Sequence, residues 1–257
     1  MLEAWHKKMR TRSIALLLVL DNRLDRILQG WLLIAGFIAA ARIGLTPQTA
    51  PIAGMTTVAS YLLIVVAPFA STLLALHWFR DGHLQPQPST RLAVLGRWQN
   101  VTSFEAEQHH LYGCSGIMAS LLLGMMLNVP VRAAEYFAAM PPIGSAAPGW
   151  LSALHFALTI DAVLFGSLYM VAFVAALRRV PLFPRLLLAI WIADISMQLC
   201  TAYLVTRSGD LPPNVAVALQ SLLQGNVKKV LISAGLWLPY LMLSTRVNVT
   251  FRHRVPA

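Results

Sequence analysis

The stretch from Trp150 to Leu177 reads WLSALHFALTIDAVLFGSLYMVAFVAAL and contains no lysine or arginine. As an α-helix it would be about 42 Å long, whereas the hydrocarbon core of a bilayer is about 30 Å thick. An apolar run of this length is typical of a transmembrane helix. The segment therefore indicates a membrane protein built from helices.

The composition of the whole chain agrees with this interpretation. Hydrophobic residues make up 57% of the 257 positions and charged residues 12%, which is about half the usual charged share. The mean hydropathy is +0.64. A soluble domain of this length needs more charge to cover its surface, and a disordered chain has far fewer apolar residues. The expected fold class is an all-α, polytopic membrane helix bundle.

Six stretches are long and apolar enough to cross the bilayer, and we expect them to form a single transmembrane domain over residues 27–246. The basic segment 1–26 is predicted to be an amphipathic helix on the membrane surface. Further surface helices are expected near 91–110 and 214–226, and residues 247–257 are expected to form a basic cytoplasmic tail. The predicted spans are about 27–45, 57–79, 111–131, 150–177, 186–205 and 229–244.

Lysine and arginine are distributed unevenly between the two predicted sides of the membrane. Residues 1–26 contain six of them, and 80–97, 178–185 and 246–254 contain three each, which makes 15 on the side of the N-terminus. The opposite side has the remaining five of the 20. Cytoplasmic loops carry such an excess of basic residues. Six crossings with this bias predict that both termini are cytoplasmic.

Three short motifs accompany the predicted spans. They are Gly30-Trp31-Leu32-Leu33 in the first span, Arg178-Arg179-Val180-Pro181-Leu182-Phe183-Pro184-Arg185 between the fourth and fifth, and Trp237-Leu238-Pro239-Tyr240 with Ser244-Thr245-Arg246-Val247 and Thr250-Phe251 at the C-terminal end. Together they resemble the uncharacterised bacterial inner-membrane family called domain of unknown function 2569. The resemblance implies a four-span core, here with about two further spans inserted. It implies no reaction, cofactor or catalytic residue.

Two acidic residues lie inside predicted spans, Asp161 in the fourth and Asp194 in the fifth. A carboxylate in hydrocarbon is costly, and such residues usually face the bundle interior with a partner or a functional task. The rise of an α-helix puts Asp161 about 25 Å from Arg178 and Asp194 about 13 Å from Arg185 along the helix axis. We expect two carboxylates at different depths, which serve either a proton or cation path or packing between spans.

Histidines raise the question of a bound ligand, cofactor or metal. His155 is expected near the outer interface, either as an interfacial histidine or as a contact for a ligand or quinone. Glu105 and His109 would share one face of a helix, and Glu107 and His110 lie beside them. Two ligands do not complete a metal site, and no second motif matches them. We therefore predict no metal site, and no motif in the sequence implies a cofactor.

Small residues recur at every fourth position of the predicted third span, at Gly116, Ser120 and Gly124. A stripe of small residues lets two helix backbones approach closely in a membrane. The stripe therefore predicts helix packing, either against another helix of this chain or against a separate protein.

Three basic residues are predicted at the outer ends of spans and are candidate contacts for lipid head groups. Arg132 follows the third span, and Lys228 and Lys229 precede the sixth. Arg132 is also expected to pair with Glu135 across a turn, and an exposed pair of this kind contributes only about 0–1 kcal/mol. The alternative for the two lysines is that they end a surface helix.

The sequence lacks the motifs of nucleotide-binding, zinc-protease, serine-hydrolase and haem proteins, so no catalytic residue is predicted. The first functional hypothesis is a non-catalytic accessory or scaffold subunit of a bacterial inner-membrane complex. Its partners would be membrane lipids and other membrane subunits, without nucleic acid. A small transporter or proton-conducting protein that uses Asp161 and Asp194 is the alternative. A lipid- or quinone-interacting enzyme, with His155 or the His109–His110 pair in its site, is a further alternative.

Overall fold

The computed structural model describes residues 2–45, 55–92, 96–143, 147–209 and 211–257, with side chains from residue 11 onward. Helices dominate this part of the chain, and two short strands pair in an antiparallel sheet. In chain order the elements are α1 (Leu2–Leu45), α2 (Met55–Trp78), β1 (Trp98–Asn100), α3 (Ser103–Gln108), α4 (Ile117–Ala139), α5 (Gly149–Leu177), α6 (Phe183–Arg207), α7 (Pro213–Leu243), α8 (Thr245–Arg252) and β2 (Arg254–Pro256).

The described helices confirm an all-α, multi-pass membrane fold. Five of them, α1, α2, α4, α5 and α6, are each long and apolar enough to cross a bilayer. Helices α7 and α8 pass the same test of length and hydropathy when they are taken together as one bent span, which would be the sixth. The cytoplasmic location of the two termini stays a prediction.

Helix α5 forms the centre of the bundle. It packs against α2, α4 and α6, while α1 packs on α2 and α4, and α7 packs on α6. Phe165 and Phe173 of α5 have no exposed surface, as expected for a helix that is apolar on all sides. In contrast, Phe37 of α1 and Ile232 of α7 are 75% and 72% exposed. Large apolar side chains on the outer surface are typical of a bundle whose solvent is lipid.

Helix α1 is continuous over 44 residues, so the segment 1–26 and the first span are not separate elements. It is about 66 Å long, more than twice the hydrocarbon thickness. Leu20, Leu24 and Leu28 repeat at every fourth position and are buried in the bundle. This packing stabilises a continuous helix across the polar residues near position 26, where the sequence predicted that the surface helix ends and the first span begins. Met1 and the side chains of residues 2–10, part of the predicted surface helix, lie outside the described residues.

The third span, helix α4, begins at Ile117 and ends at Ala139, later at both ends than predicted. Gly113 and Gly116 have positive φ angles of 96° and 74°, a conformation that only glycine adopts readily, and they keep the preceding segment out of the helix. Helix α4 then continues past Pro130. Arg132 therefore lies within helix α4, seven residues before its end, and does not follow the helix.

Helix α7 joins two elements that were predicted to be separate, the surface helix 214–226 and the span 229–244. Lys228 and Lys229 stand in the middle of this long helix and not at its outer start. After α7 the chain turns by 73° into α8.

The surface helix predicted near 91–110 is replaced by strand β1 and the short helix α3. Residues 93–95 of that prediction lie outside the described residues. Thr102 ends the extended segment by capping α3, because its hydroxyl accepts from the Glu105 N–H while the Glu105 carboxylate accepts from the Thr102 N–H at 2.8 Å. This reciprocal capping box starts a helix of less than two turns.

Residues 247–257, predicted to form a basic cytoplasmic tail, are largely folded onto the bundle. Val247, Asn248 and Thr250 have no exposed surface. The Phe251 ring lies against the Phe183 ring, with 5.0 Å between their centroids. We call this end of the bundle, formed by residues 79–92, 96–116, 178–182 and 244–257, the basic end.

Packing at the basic end predicts that replacing Phe251 by alanine destabilises the protein. Phe251 is 1% exposed, and truncating a buried phenylalanine costs about 3–5 kcal/mol. The measurement is unfolding of the purified protein by dodecyl sulfate in mixed micelles. Phe104→Ala, at a side chain that is 69% exposed, is the control and should leave stability unchanged. Equal stabilities of the two variants would contradict the docked C-terminus.

Candidate functional site

Helices α4, α5 and α6 bring one cation and two carboxylates together inside the bundle. Helices α4 and α6 begin at the basic end, and α5 finishes there. From the helical rise, Arg132 of α4 is about 22 Å from that end and Asp161 of α5 is about 24 Å from it. Asp194 of α6 is about 16 Å from the same end by the same measure. The expected separation in depth does not keep the two carboxylates apart, because one guanidinium binds both of them and the Gln198 side-chain nitrogen lies within 3.4 Å of both.

The guanidinium of Arg132 binds both carboxylates. Its Nη1 donates to Asp161 Oδ2 at 2.5 Å, and its Nη2 donates to Asp194 Oδ2 at 2.7 Å. The side chains of Arg132, Asp161 and Asp194 are 12%, 7% and 0% exposed. The Phe165 ring lies below the guanidinium, with 5.0 Å from Cζ to the ring centroid. Charge-assisted hydrogen bonds in such a buried setting are short and strong.

Neutral polar groups complete the hydrogen bonding of the two carboxylates. Gln198 Nε2 donates to Asp161 Oδ1 at 2.9 Å and lies 3.4 Å from Asp194 Oδ1. The Tyr169 hydroxyl donates to Asp194 Oδ2 at 3.2 Å. Asn226 of α7 donates to Gln198 Oε1 at 3.3 Å and so ties the fourth helix to the site. We call this set, Arg132, Asp161, Asp194, Tyr169, Gln198 and Asn226, the Arg132 network.

Charge in the Arg132 network is unbalanced when its acidic groups are ionised. One guanidinium faces two carboxylates, which leaves a net charge of −1. The adjacent ion pair between Glu135 and Lys229 adds one charge of each sign and leaves that value unchanged. An uncompensated charge inside a membrane costs several kcal/mol. The arrangement is therefore suited to hold one proton or one monovalent cation.

A groove between α4 and α7 leads to the Arg132 network. A cavity of about 610 Å³ is lined by Asp161, Tyr136 and Leu222 among others, and a second cavity of about 130 Å³ is lined by Trp191 and Trp237 among others. The residues that line both cavities are Arg132, Glu135, Asn226 and Lys229. The Glu135–Lys229 pair is half-exposed and bridges the two helices at the position where both cavities meet the network.

His155 is buried at 5% exposure and is not at an open interface. The Tyr136 hydroxyl lies 3.1 Å from its Nε2 and 2.9 Å from Thr159 Oγ1. Thr159 in turn donates to the His155 carbonyl oxygen at 2.7 Å. The imidazole is thus part of a set of polar contacts between α4 and α5, and a contact with a ligand or quinone stays a prediction.

At its Gly116 end the small-residue stripe touches helix α1, where the Gly116 N–H donates to Ser13 Oγ at 2.7 Å, whereas Ser120 and Gly124 are exposed. Gly116 precedes α4 as its N-cap, and Ser120 is exposed and bonds only to the Ile117 carbonyl oxygen. A Cβ atom placed on Gly124 would meet nothing within 4 Å. Close packing within the described part of the chain is therefore ruled out at Gly124, and packing against a separate protein stays a prediction.

The three predicted lipid contacts have different surroundings. Arg132 is taken up by the buried network, and it does not pair with Glu135, whose partner is Lys229. Lys229 also lies 3.4 Å from Asn226 Oδ1. Lys228 lines an outward groove between α6 and α7. Head-group contacts of the two lysines stay a prediction.

The Glu105–His109 pair does not share a helix face, because α3 ends at Gln108 and His109 is in an extended conformation. The His109 and His110 rings stack with 4.5 Å between centroids. Glu107 bonds to the Tyr112 hydroxyl at 3.3 Å. Among the residues that the structure describes, no three His, Cys, Asp or Glu side chains cluster as metal ligands would.

Sequence reasoning missed Gln198, Tyr169 and Asn226 as members of the site. Gln198 follows Asp194 by one helical turn and so shares its helix face, which is a readable signal in an apolar span. Arg132 carries a similar signal, because apart from Glu135 the next two turns after it are apolar. Tyr169 and Asn226 carry no local signal, since only the packing of α5 and α7 brings them to the site.

Comparisons of the chain with protein-family models, with curated proteins and with solved structures give no match. The family resemblance drawn from the motifs therefore stays a prediction, and the functional proposal depends on the Arg132 network.

The charge imbalance predicts that removing the cation lowers the free energy of unfolding more than removing one carboxylate does. Arg132→Gln leaves two buried carboxylates without a counter-charge and should destabilise the protein by about 3–5 kcal/mol. Asp194→Asn leaves one guanidinium with one carboxylate and should change stability by about 1 kcal/mol or less. Unfolding in mixed micelles measures both. A purely structural salt bridge would instead make the two substitutions equally harmful.

Proposed function

We propose that this chain is a small proton-conducting transport protein of the bacterial cytoplasmic membrane. The observation that carries the proposal is the sharing of one guanidinium by two buried carboxylates, Asp161 and Asp194. The bacterial setting follows the motif resemblance, and the cytoplasmic location of both termini follows the bias of basic residues.

The carboxylate pair serves as the proton carrier. With one proton bound, Arg132 balances the remaining carboxylate and the network is neutral. Loss of that proton leaves a net charge of −1 inside the membrane, which costs several kcal/mol. A proton is therefore released only when water or a counter-ion reaches the site. The Gln198 and Tyr169 side chains hold the carboxylates in place during this exchange.

Access to the carboxylates runs through the larger cavity. Asp161 lines it, and its other walls come from α4 and α7. The Glu135–Lys229 pair spans the groove between those helices. Separation of this pair widens the groove and admits water to Asp161, whereas its closure isolates the network from solvent.

Proton influx into proteoliposomes tests the proposal. Vesicles loaded with potassium and treated with valinomycin develop a negative interior potential, and a trapped pH dye reports proton entry. Asp161→Asn and Asp194→Asn each replace a carboxyl group by an amide that cannot carry a proton, and each should lower the flux by about tenfold or more. Asp25→Asn, on the exposed side of α1, is the matched control and should conduct like the unmodified protein.

Infrared spectroscopy gives a second readout of the same carboxylates. The unmodified protein and Asp25→Asn should show the band of a protonated carboxylic acid, which both network variants lose. Unchanged flux in Asp161→Asn and Asp194→Asn, with folded protein recovered in equal amounts, would remove the proposal. A wild-type protein without flux and without the band would do the same.

An accessory subunit of a membrane protein complex is the second candidate function. The uncovered face of α4 favours it, because Ser120 is exposed and nothing lies within 4 Å of a Cβ on Gly124. Extraction of native membranes in a mild detergent should then yield a particle larger than the single chain. Ser120→Trp should release the chain from that particle without lowering the amount of folded protein. A monomer in both samples would contradict this function.

A further inference from the structure

Strands β1 and β2 bring three arginines together at the basic end. Their antiparallel pairing places Asn100 opposite Arg254, with Arg252 two positions before Arg254. The loop that precedes β1 adds Arg91, whose Nη1 donates to Asn100 Oδ1 at 2.6 Å. Arg254 Nε donates to the same oxygen at 3.1 Å. One neutral amide oxygen on the surface therefore accepts from two guanidinium groups.

Arg252 lies beneath this pair and is 3% exposed. Its Nη2 donates to the Leu241 carbonyl oxygen at 2.9 Å, and its Nη1 donates to Asn248 Oδ1 at 3.2 Å. Both acceptors are neutral. The positive charges of Arg254 and Arg91 both act on Arg252. The three guanidinium groups are thus close enough to repel one another.

Two of the three arginines, Arg91 and Arg252, are not neutralised by a carboxylate within the part of the chain that the structure describes. Neither Arg91 nor Arg252 has an acidic oxygen within 4.0 Å there. The charge of Glu107 acts on His253, which follows Arg252 in the chain. The Glu107 carboxylate accepts a hydrogen bond from the Tyr112 hydroxyl and lies 3.8 Å from His83 Nε2. Among the described residues, the positive charges of Arg91 and Arg252 therefore exceed the nearby negative charge.

His253 supplies an unused buried polar atom beside the arginines. The residue is 7% exposed, and its Nε2 has no hydrogen-bond partner among the described residues. Burial lowers its pKa first, and the nearby charge of Arg91 lowers it further. A buried ring nitrogen without a partner costs free energy that an oxygen-rich ligand would recover.

We propose that Arg91, Arg252 and Arg254 form a binding site for a phosphate group, carried by a soluble phosphate or by an anionic lipid. Guanidinium groups bind phosphate oxygens through paired, charge-assisted hydrogen bonds. Asn100 Oδ1 marks the position that a phosphate oxygen would take between two of the guanidinium groups. The site lies at the basic end, away from the Arg132 network, so it does not depend on the proposed proton transport.

Asn100→Asp tests the site, because it puts a carboxylate of the same shape where the phosphate oxygen would bind. Delipidated protein in a neutral detergent is titrated with inorganic phosphate and, separately, with short-chain phosphatidylglycerol, and thermal unfolding is followed. At least one probe should stabilise the unmodified protein. The Asn100→Asp protein should be more stable without a probe and should bind that probe about tenfold more weakly or worse.

Asn22→Asp is the matched control, since it makes the same chemical change on an exposed part of α1. It should bind the effective probe like the unmodified protein. Stabilisation by inorganic phosphate identifies a soluble ligand, whereas stabilisation by the lipid alone identifies a head group. The proposal is overturned if neither probe stabilises the unmodified protein, or if Asn100→Asp and Asn22→Asp respond equally. If Asn100→Asp does not fold, Arg91→Gln replaces it with the same expected loss of binding.

Discussion

The ion network around Arg132 is the constraint on which the arrangement of the spans depends. Lipid tails are as apolar as leucine side chains, so burial alone does not select one helix neighbour over another in a membrane. A guanidinium that binds carboxylates on two other helices does select neighbours. Arg132 therefore aligns α4 with α5 and α6, and Gln198 with Asn226 extends the alignment to α7.

At the basic end, backbone carbonyl groups of the loop before α4 accept hydrogen bonds from the C-terminal segment. The chain between α2 and α4 contains irregular backbone, and the C-terminal segment closes over it. Arg246 donates to the carbonyl oxygens of Leu111 and Gly113 at 3.1 and 3.3 Å and to Ser115 Oγ at 2.9 Å. A charged residue next to a span thus serves as a polar clamp on a loop, and the bend after α7 makes that contact possible.

Charged residues also explain where the boundaries predicted from the sequence went wrong. An isolated charge in hydrocarbon is costly, so the sequence predicts that the third span ends before Arg132 and that the sixth begins at Lys229. In the folded protein each cation has an acidic partner on a neighbouring helix, Asp161 with Asp194 for Arg132 and Glu135 for Lys229. That partner removes most of the cost, so the helices continue through the charges.

The amino-acid sequence by itself determined the all-α membrane class, the approximate position of each apolar segment and the presence of two carboxylates inside spans. These properties depend on local composition and on helical rise, which gives depth along the axis but not direction around it. Tertiary structure alone decided that Arg132 is the partner of both carboxylates and that the C-terminal residues are buried. Both outcomes depend on which helix faces turn toward each other, and that choice is made by contacts between residues distant in the chain.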